Sequence, residues 1–493
     1  MRPPGSTWPS STSAPTRARP RWPASASKSC PPSTAGHDVI PVDLLVRGGT
    51  VVPCDGSRRA FVGDVAVRDG SIVAVTPTSG DEAVPTADRV IDASGCAVIP
   101  GFVNAHTHEV MERGVFEDMD FFTWLEDFAL PKDMAYEPRH QRAGSLLCQA
   151  EMIANGTTCF IDIFRFPAES AAVAVDSGLR ATISPQAVDT PAGAGETLES
   201  SEAFIDAWHG RHPRVRAWFG PHSLYTVDAA TYGAMRERAD QLGVGIHTHL
   251  AETQGEVERV AELSGGLTPA AWLDRLIGLG PDVVAAHCIE LTDDDLELVV
   301  SSGVGVAHCP TSNMKLGNRA ARIPELLAAG ATVGLGTDSI MTNNNLDPFE
   351  EMRQAGLLAR FSTGDPAVLP CAEILELATI GGARALGLGD EVGSIEVGKR
   401  ADLAVVGLDR PRAWPVLSDG DGGNVIEQLV WSCSGSDVRY TIVDGQVLLD
   451  DRQLVTLDLA EIADLVPREA RHLLSKAGVL DHVLNKYRGV GDD

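Results

Sequence analysis

The sequence predicts an α/β protein: a (β/α)8 TIM barrel with a small β-sandwich domain formed from both ends of the chain. Three observations carry this expectation. Short apolar segments alternate with helical stretches across residues 99–395, the pattern of a parallel sheet. β-rich runs broken by Gly and Asp flank that region on both sides. Histidines gather at the ends of the apolar segments, where a barrel assembles its chemistry.

Taken in order, residues 1–37 are rich in Pro, Ser and Ala and read as a disordered tail. Residues 38–98 carry DLLVRGGTVVP, GDVAVRDGSIVAV and DRVIDASG, short strands split by turns, and form the first part of the β-sandwich. Eight barrel strands are expected at 97–108, 157–164, 180–185, 215–222, 244–250, 283–288, 304–309 and 332–338. Helical stretches such as AATYGAMRERADQLG and AAWLDRLIGLG separate them. Residues 396–458 return to β texture as the second part of the sandwich. Residues 459–493 read as C-terminal helices, interrupted by Pro467.

Composition narrows the function. The 493 residues are 44% hydrophobic, enough for a large core. Lys and Arg number 40 against 68 Asp and Glu, a net charge of −28. So acidic a surface argues against nucleic acid and against an anionic membrane as partners. The nine cysteines are scattered, without a C-x-x-C pair. A disulfide framework is therefore not expected, and a reducing, cytoplasmic compartment is. No apolar run reaches the roughly 18 to 20 residues of a membrane helix.

The histidine pattern points to a metal. His106 and His108 are spaced i, i+2, which puts both imidazoles on one face of a strand. His247 and His249 repeat that spacing, and Glu252 follows. His287 closes the sixth segment and Asp338 the eighth. In a barrel these ends converge, and imidazoles facing one cavity need something to occupy their lone pairs. Three histidines and an aspartate leave an open position for water, as a catalytic zinc or ferrous site requires.

At this point the chain resembles the amidohydrolase superfamily, in the branch that holds S-adenosylhomocysteine and methylthioadenosine deaminases and the s-triazine hydrolases. The motifs are PGFVNAHTH, Arg113–Gly114, Trp124–Leu125, GTTCFIDIF, GPHSLYTV, GIHTHLAET, AAHCIEL, HCPTSNMKLG, GLGTDS, NNNLDPFEEMR and GSIEVGKRADLAVV. The resemblance implies that His106, His108, His249 and Asp338 hold the metal, with His247 in support. Glu252 and His287 would handle protons. Two-metal members carry a carboxylated lysine on the fourth strand. The segment VRAWFGPHS has none, so one divalent ion is implied, with Zn the first choice and Fe the alternative.

The implied reaction is hydrolytic loss of ammonia from an amino-substituted heterocycle: a purine or nucleoside, pterin, pyrimidine or triazine. Asp338 would take a proton from water, His287 would orient it, and Glu252, its pKa raised by an apolar cavity, would protonate the ring. For substrate contacts the candidates are Trp124, Asp133, His222 and Asn313. Trp124, like Phe121 and Phe122, either stacks on the ring or serves the helix core. His222 either meets substrate or is buried under its loop. The nucleoside deaminases grip ribose with a Pro-x-Glu, where this chain has Pro131-Lys132-Asp133. Glu109 also departs from the apolar residue common there, and near the pocket mouth it would suit an amino-rich substrate. One alternative is a chlorohydrolase or N-alkylaminohydrolase of triazines. Another is a barrel used only as a scaffold. A homo-oligomer is expected by analogy alone.

Overall fold

The computed structural model describes residues 41–78, 86–115, 117–119, 123–189, 195–419 and 422–485. The expected N-terminal tail, Phe121 and Phe122 lie outside them.

Both ends of the chain do build one sheet. Strands Val42–Val51, Phe61–Arg68, Ser71–Pro77, Ala87–Asp92 and Cys96–Pro100 share a nine-stranded sheet with Leu403–Gly407, Val438–Val443, Gln446–Asp450 and Gln453–Leu454. The seam is antiparallel, with Val98 opposite Val405. Val46, Val65, Val98, Val405 and Ile442 are all buried in one apolar cluster of this sheet. The period-2 alternation that predicted the strands supplies that face.

The parallel strands run Phe102–Thr107 (β1), Thr157–Phe164 (β2), Arg180–Ala187 (β3), then β4 in two short pieces, Val215–Ala217 and Gly220–Pro221. Ile246–Leu250 (β5), Val283–His287 (β6), Gly305–His308 (β7) and Thr332–Leu335 (β8) follow. They form two parallel sheets, ordered β4-β3-β2-β1 and β5-β6-β7-β8. A parallel bridge joins Phe219 to Ile246 between the two. On the other side the Asp338 N–H donates to the His106 carbonyl at 3.0 Å. The strands are buried almost throughout, as expected with helices as their connections. Several of those helices start on side-chain caps, with Asp228, Thr253, Thr268 and Thr292 accepting a first-turn N–H.

Two expectations need correction. Residues 97–108 were read as one strand but form two. Cys96–Pro100 belongs to the sheet of the chain ends, and β1 starts at Phe102. Gly101 is the switch: a Cβ there would lie 2.1 Å from the Thr158 side chain, so only glycine lets the two strands approach. Pro467 does not interrupt the C-terminal helix, which runs unbroken over Leu459–Lys476. Both Pro467 and Ala463, whose carbonyl loses its donor, are exposed, so water replaces the missing bond.

A buried ion network fastens the start of β3 to the sheet of the chain ends. Arg180 Nε lies 2.9 Å from Asp402 Oδ2, and its Nη2 lies 2.6 Å from Asp444 Oδ1. Arg400 reaches the same Asp444 oxygen at 2.6 Å. Removing one partner of such a network strands charge in the interior. Arg180→Met should therefore destabilise the fold by about 3–5 kcal/mol, read as a lower urea midpoint with an unchanged m-value.

Candidate active site

The side chains expected to act together do meet at the C-terminal ends of the strands. His106 lies in β1 and His108 one residue beyond it, His249 in β5, His287 at the end of β6, and Asp338 three residues past β8. His108 Nε2 is 3.1 Å from His249 Nε2. Asp338 Oδ1 is 3.4 Å from His108 Nε2 and 3.6 Å from His106 Nε2.

Hydrogen bonds fix the tautomers. His108 Nδ1 donates to the Ile163 carbonyl at 2.6 Å, and His249 Nδ1 donates to the His222 carbonyl at 2.7 Å. Carbonyl oxygens only accept, so each ring carries its hydrogen on Nδ1 and turns a bare Nε2 inward. Burial, with the neighbouring imidazoles, holds His108 well below its usual range and lowers His249. Two unprotonated lone pairs thus face each other at 3.1 Å. His106 Nε2 is buried and has no hydrogen-bond partner, and burial lowers this ring to about 3. Such a donor set, completed by one carboxylate, fits a divalent cation and little else. His247 stands behind it, its Nε2 2.8 Å from His106 Nδ1, in the support position of a metal ligand's partner.

Burial alone would raise the Asp338 carboxyl, but the facing imidazoles outweigh it and hold Asp338 well below the usual carboxylate range. Its Oδ2 accepts from Ser312 Oγ at 2.6 Å and its Oδ1 from the Ser339 N–H at 2.7 Å. The backbone at Asp338 has a φ of +58°, and His287 has +74°. Left-handed conformations at non-glycine residues mark strain, here at the residues that aim into the site.

Glu252 and His287 face one another, with Glu252 Oε2 3.9 Å from His287 Nε2. Burial pushes the Glu252 carboxyl up to about 7. Its backbone is held by Glu256, whose two oxygens accept the N–H groups of Ala251 and Glu252 at 2.9 and 2.8 Å. His287 Nδ1 meets Asn313 Oδ1 at 2.9 Å.

His108, His249, Glu252, His287 and Asp338 open on one cavity. Trp124, Asp133 and His222 line it. Asn313 does not join them: it is fully buried behind His287 and steers that ring instead. Glu109 is also turned away. It is buried between helices with Ser170 as its hydrogen-bond donor, so it cannot meet substrate at the pocket mouth.

Sequence reasoning missed four residues here. Tyr225 and Gln186 line the cavity. Lys132, about 1% exposed, pairs with Asp133 Oδ1 at 2.8 Å in the cavity wall. Ser312, next to Asn313, sits on the short helix Pro310–Lys315, and the two neighbours bracket Asp338 and His287. The signal for Ser312 was its place in HCPTSN, where a proline starts a helix right after a strand-end histidine.

A second cluster, Glu137 with His140 and His472, looks similar but differs chemically. His140 Nδ1 accepts the Glu137 N–H at 2.9 Å, so Nε2 carries the hydrogen that reaches His472 Nδ1 at 2.8 Å. Its ring nitrogens are both spoken for, and it serves as a helix-docking relay.

If the histidines hold a cation, zinc added to metal-free protein should raise its Tm. The gain is about 2.7 kcal/mol at one hundred times Kd, and His108→Ala or His249→Ala should remove it. A parent chain whose Tm ignores zinc would refute the assignment.

The sequence matches the profile of the Amidohydrolase family over residues 97–448. It is 39% identical over 439 residues to a 5-methylthioadenosine/S-adenosylhomocysteine deaminase of Pelotomaculum thermopropionicum, covering 88% of this chain and 99% of that protein. A 5'-deoxyadenosine deaminase of Methanosarcina mazei is 37% identical over 440 residues, covering 88% and 99%. Among solved structures, an adenosine deaminase of Xanthomonas campestris with bound zinc aligns with a TM-score of 0.84 at 34% identity, covering 88% of this chain and 99% of that one. An atrazine chlorohydrolase of Arthrobacter aurescens complexed with zinc aligns at 0.77 and 25% identity, covering 86% and 99%. With a matched profile across most of its length and relatives of this identity, the chain belongs to the amidohydrolase family.

Proposed function

We propose that the chain is a hydrolytic deaminase of an amino-substituted purine nucleoside, working with one zinc ion held by His106, His108, His249 and Asp338. The observation that carries the reading is Glu252. A carboxyl whose pKa burial raises to about 7 stands 3.9 Å from His287 in the same cavity as His108, His249 and Asp338. The similarity to deaminases of adenosine-type compounds supports the substrate class.

When bound, the cation supplies Lewis-acid activation of water. The remaining work falls to side chains. Deamination needs a proton on the ring nitrogen as oxygen adds to the neighbouring carbon, and another on the amino group as it leaves. Glu252, half protonated near neutral pH, delivers the first from its carboxyl oxygen. Asp338, ionised and held by Ser312 and Ser339, takes a proton from water at Oδ1 and returns it to the departing ammonia. His287, its Nδ1–H committed to Asn313, keeps Nε2 as an acceptor that orients the attacking water. Trp124, His222 and Asp133 contact the substrate along the cavity wall. Asp133, paired with Lys132, faces the sugar end.

The same reading makes the eight parallel strands, from Phe102 onward, a closed (β/α)8 barrel. The bonds from Phe219 to Ile246 and from Asp338 to His106 support it. The sheet built by Val42–Pro100 and Leu403–Leu454 would be its companion β-domain, followed by the helices Leu459–Lys476 and Leu480–Asn485. The described free cysteines support work in the cytoplasm. No described helix is long and apolar enough to cross a membrane.

A panel of adenosine, 5'-deoxyadenosine, methylthioadenosine and s-triazines, assayed for ammonia, chloride and alkylamine, tests the reaction. Ammonia from an adenine nucleoside is expected. Chloride or alkylamine from a triazine alone would move the chain to the chlorohydrolase alternative. Because Glu252 acts as an acid, kcat/KM should fall as pH rises through about 7. Glu252→Gln should lower kcat by about 100-fold or more and abolish that limb. A Gln variant with parental kcat would remove Glu252 from the mechanism.

A further inference from the structure

The motif NNNLDPFEEMR leaves two buried polar residues that the reaction above does not use, Asn343 and Glu351. Glu351 is about 1% exposed on helix Pro348–Thr363. Its Oε1 accepts from Asn343 Nδ2 at 2.7 Å, and the same Nδ2 donates to the Thr337 carbonyl at 2.7 Å. Thr337 directly precedes Asp338. Asn104 holds it from the other side, accepting its N–H at 3.0 Å and donating to its Oγ1 at 2.8 Å.

The second Glu351 oxygen reaches a different element. Its Oε2 accepts the Thr311 N–H at 3.4 Å, in the first turn of helix Pro310–Lys315. The next two residues of that helix are Ser312, on Asp338 Oδ2, and Asn313, on His287 Nδ1. One buried carboxyl therefore links the strained turn that carries Asp338 to the pair of side chains that steer Asp338 and His287.

We propose that Glu351 is a positioning residue, which acts through Asn343 and Thr311 to hold Asp338 and His287 in working geometry. The inference rests on the roles given above to those two groups. Glu351 touches no ligand and no substrate position. The Thr311 hydroxyl is buried beside it, and burial pushes the Glu351 carboxyl up to about 8 against the hydrogen bonds from Thr311 and Asn343. Its protonated form would give that hydroxyl oxygen a donor while still accepting from Asn343. An amide keeps the bond from Asn343 and can donate to that hydroxyl, but it cannot accept the Thr311 N–H as well.

The test compares full-length Glu351→Ala, Glu351→Gln and Asn343→Ala with the parent. Zinc affinity is read by competition with a chromophoric chelator, and kcat and KM on the best nucleoside of the panel. Supporting groups of a metal site are typically worth 10- to 100-fold in metal affinity or activity. Glu351→Ala and Asn343→Ala should each lose about that much in zinc affinity or kcat, with KM unchanged within about twofold. Glu351→Gln, which keeps the bond from Asn343 and loses the one from the Thr311 N–H, should fall between the parent and Ala on both. The proposal is overturned if Glu351→Ala and Asn343→Ala match the parent, or if Glu351→Gln falls as far as Ala. Should Glu351→Ala fail to fold, Asn343→Ala and the Gln variant decide the matter. A parent inactive on every nucleoside would defeat the deaminase reading, and the zinc comparison would still judge the role of Glu351.

Discussion

The site depends on the electrostatics of two imidazoles placed face to face. Backbone carbonyls take the Nδ1 hydrogens of His108 and His249, and burial keeps a second proton off either ring. What remains is a pair of inward lone pairs at 3.1 Å, an arrangement that repels itself unless positive charge lies near. The neighbouring features share that logic. Asp338 stays ionised, His106 keeps a bare Nε2, and His247 braces the ring from behind. The carbonyls that impose the tautomers come from Ile163 at the end of β2 and His222 just after β4, so the parallel strands determine the chemistry of the histidines as well as their positions.

The groups proposed to handle protons are built differently. Glu252, His287 and Asp338 lie where strands give way to loops, and the backbone at Ala251, His287 and Asp338 takes the left-handed conformation. Each strained position is held by buried hydrogen bonds from outside its own strand: Glu256 for the Ala251–Glu252 turn, Asn313 for His287, and Ser312 with Asn343 near Asp338. Strain of this kind persists only where surrounding contacts over-determine it. The proposed histidine ligands lie on or beside strands, whereas Asp338, Glu252 and His287 sit at or next to braced turns.

Much of this was legible from the residue order. The i, i+2 spacing at His106–His108 and His247–His249 is a strand signature, and strand ends converge in a parallel architecture, so the cluster could be read without coordinates, while the choice of ligands within it came from the family resemblance. Less legible was anything depending on which way a loop side chain turns. Glu109 follows a ligand in sequence yet points to the helices, and Asn313 sits in a recognisable motif yet supports His287 and does not line the cavity. The strand over 97–108 misled for a related reason. Its apolar pattern continues through Gly101, although the hydrogen-bond partners change there. Pro467 misled because a proline exposed on a helix can leave its orphan carbonyl to water.

The pairing of Cys96–Pro100 with Leu403–Gly407 has a consequence for how the molecule is made. The two partners are separated by about 300 residues, so a chain growing at 5–20 residues per second exposes the first for roughly 15–60 s before the second is translated. Through that interval the ribosome presents an apolar strand with an open edge, ready to pair with another nascent chain. An unpaired edge during synthesis thus follows from closing one sheet with segments about 300 residues apart.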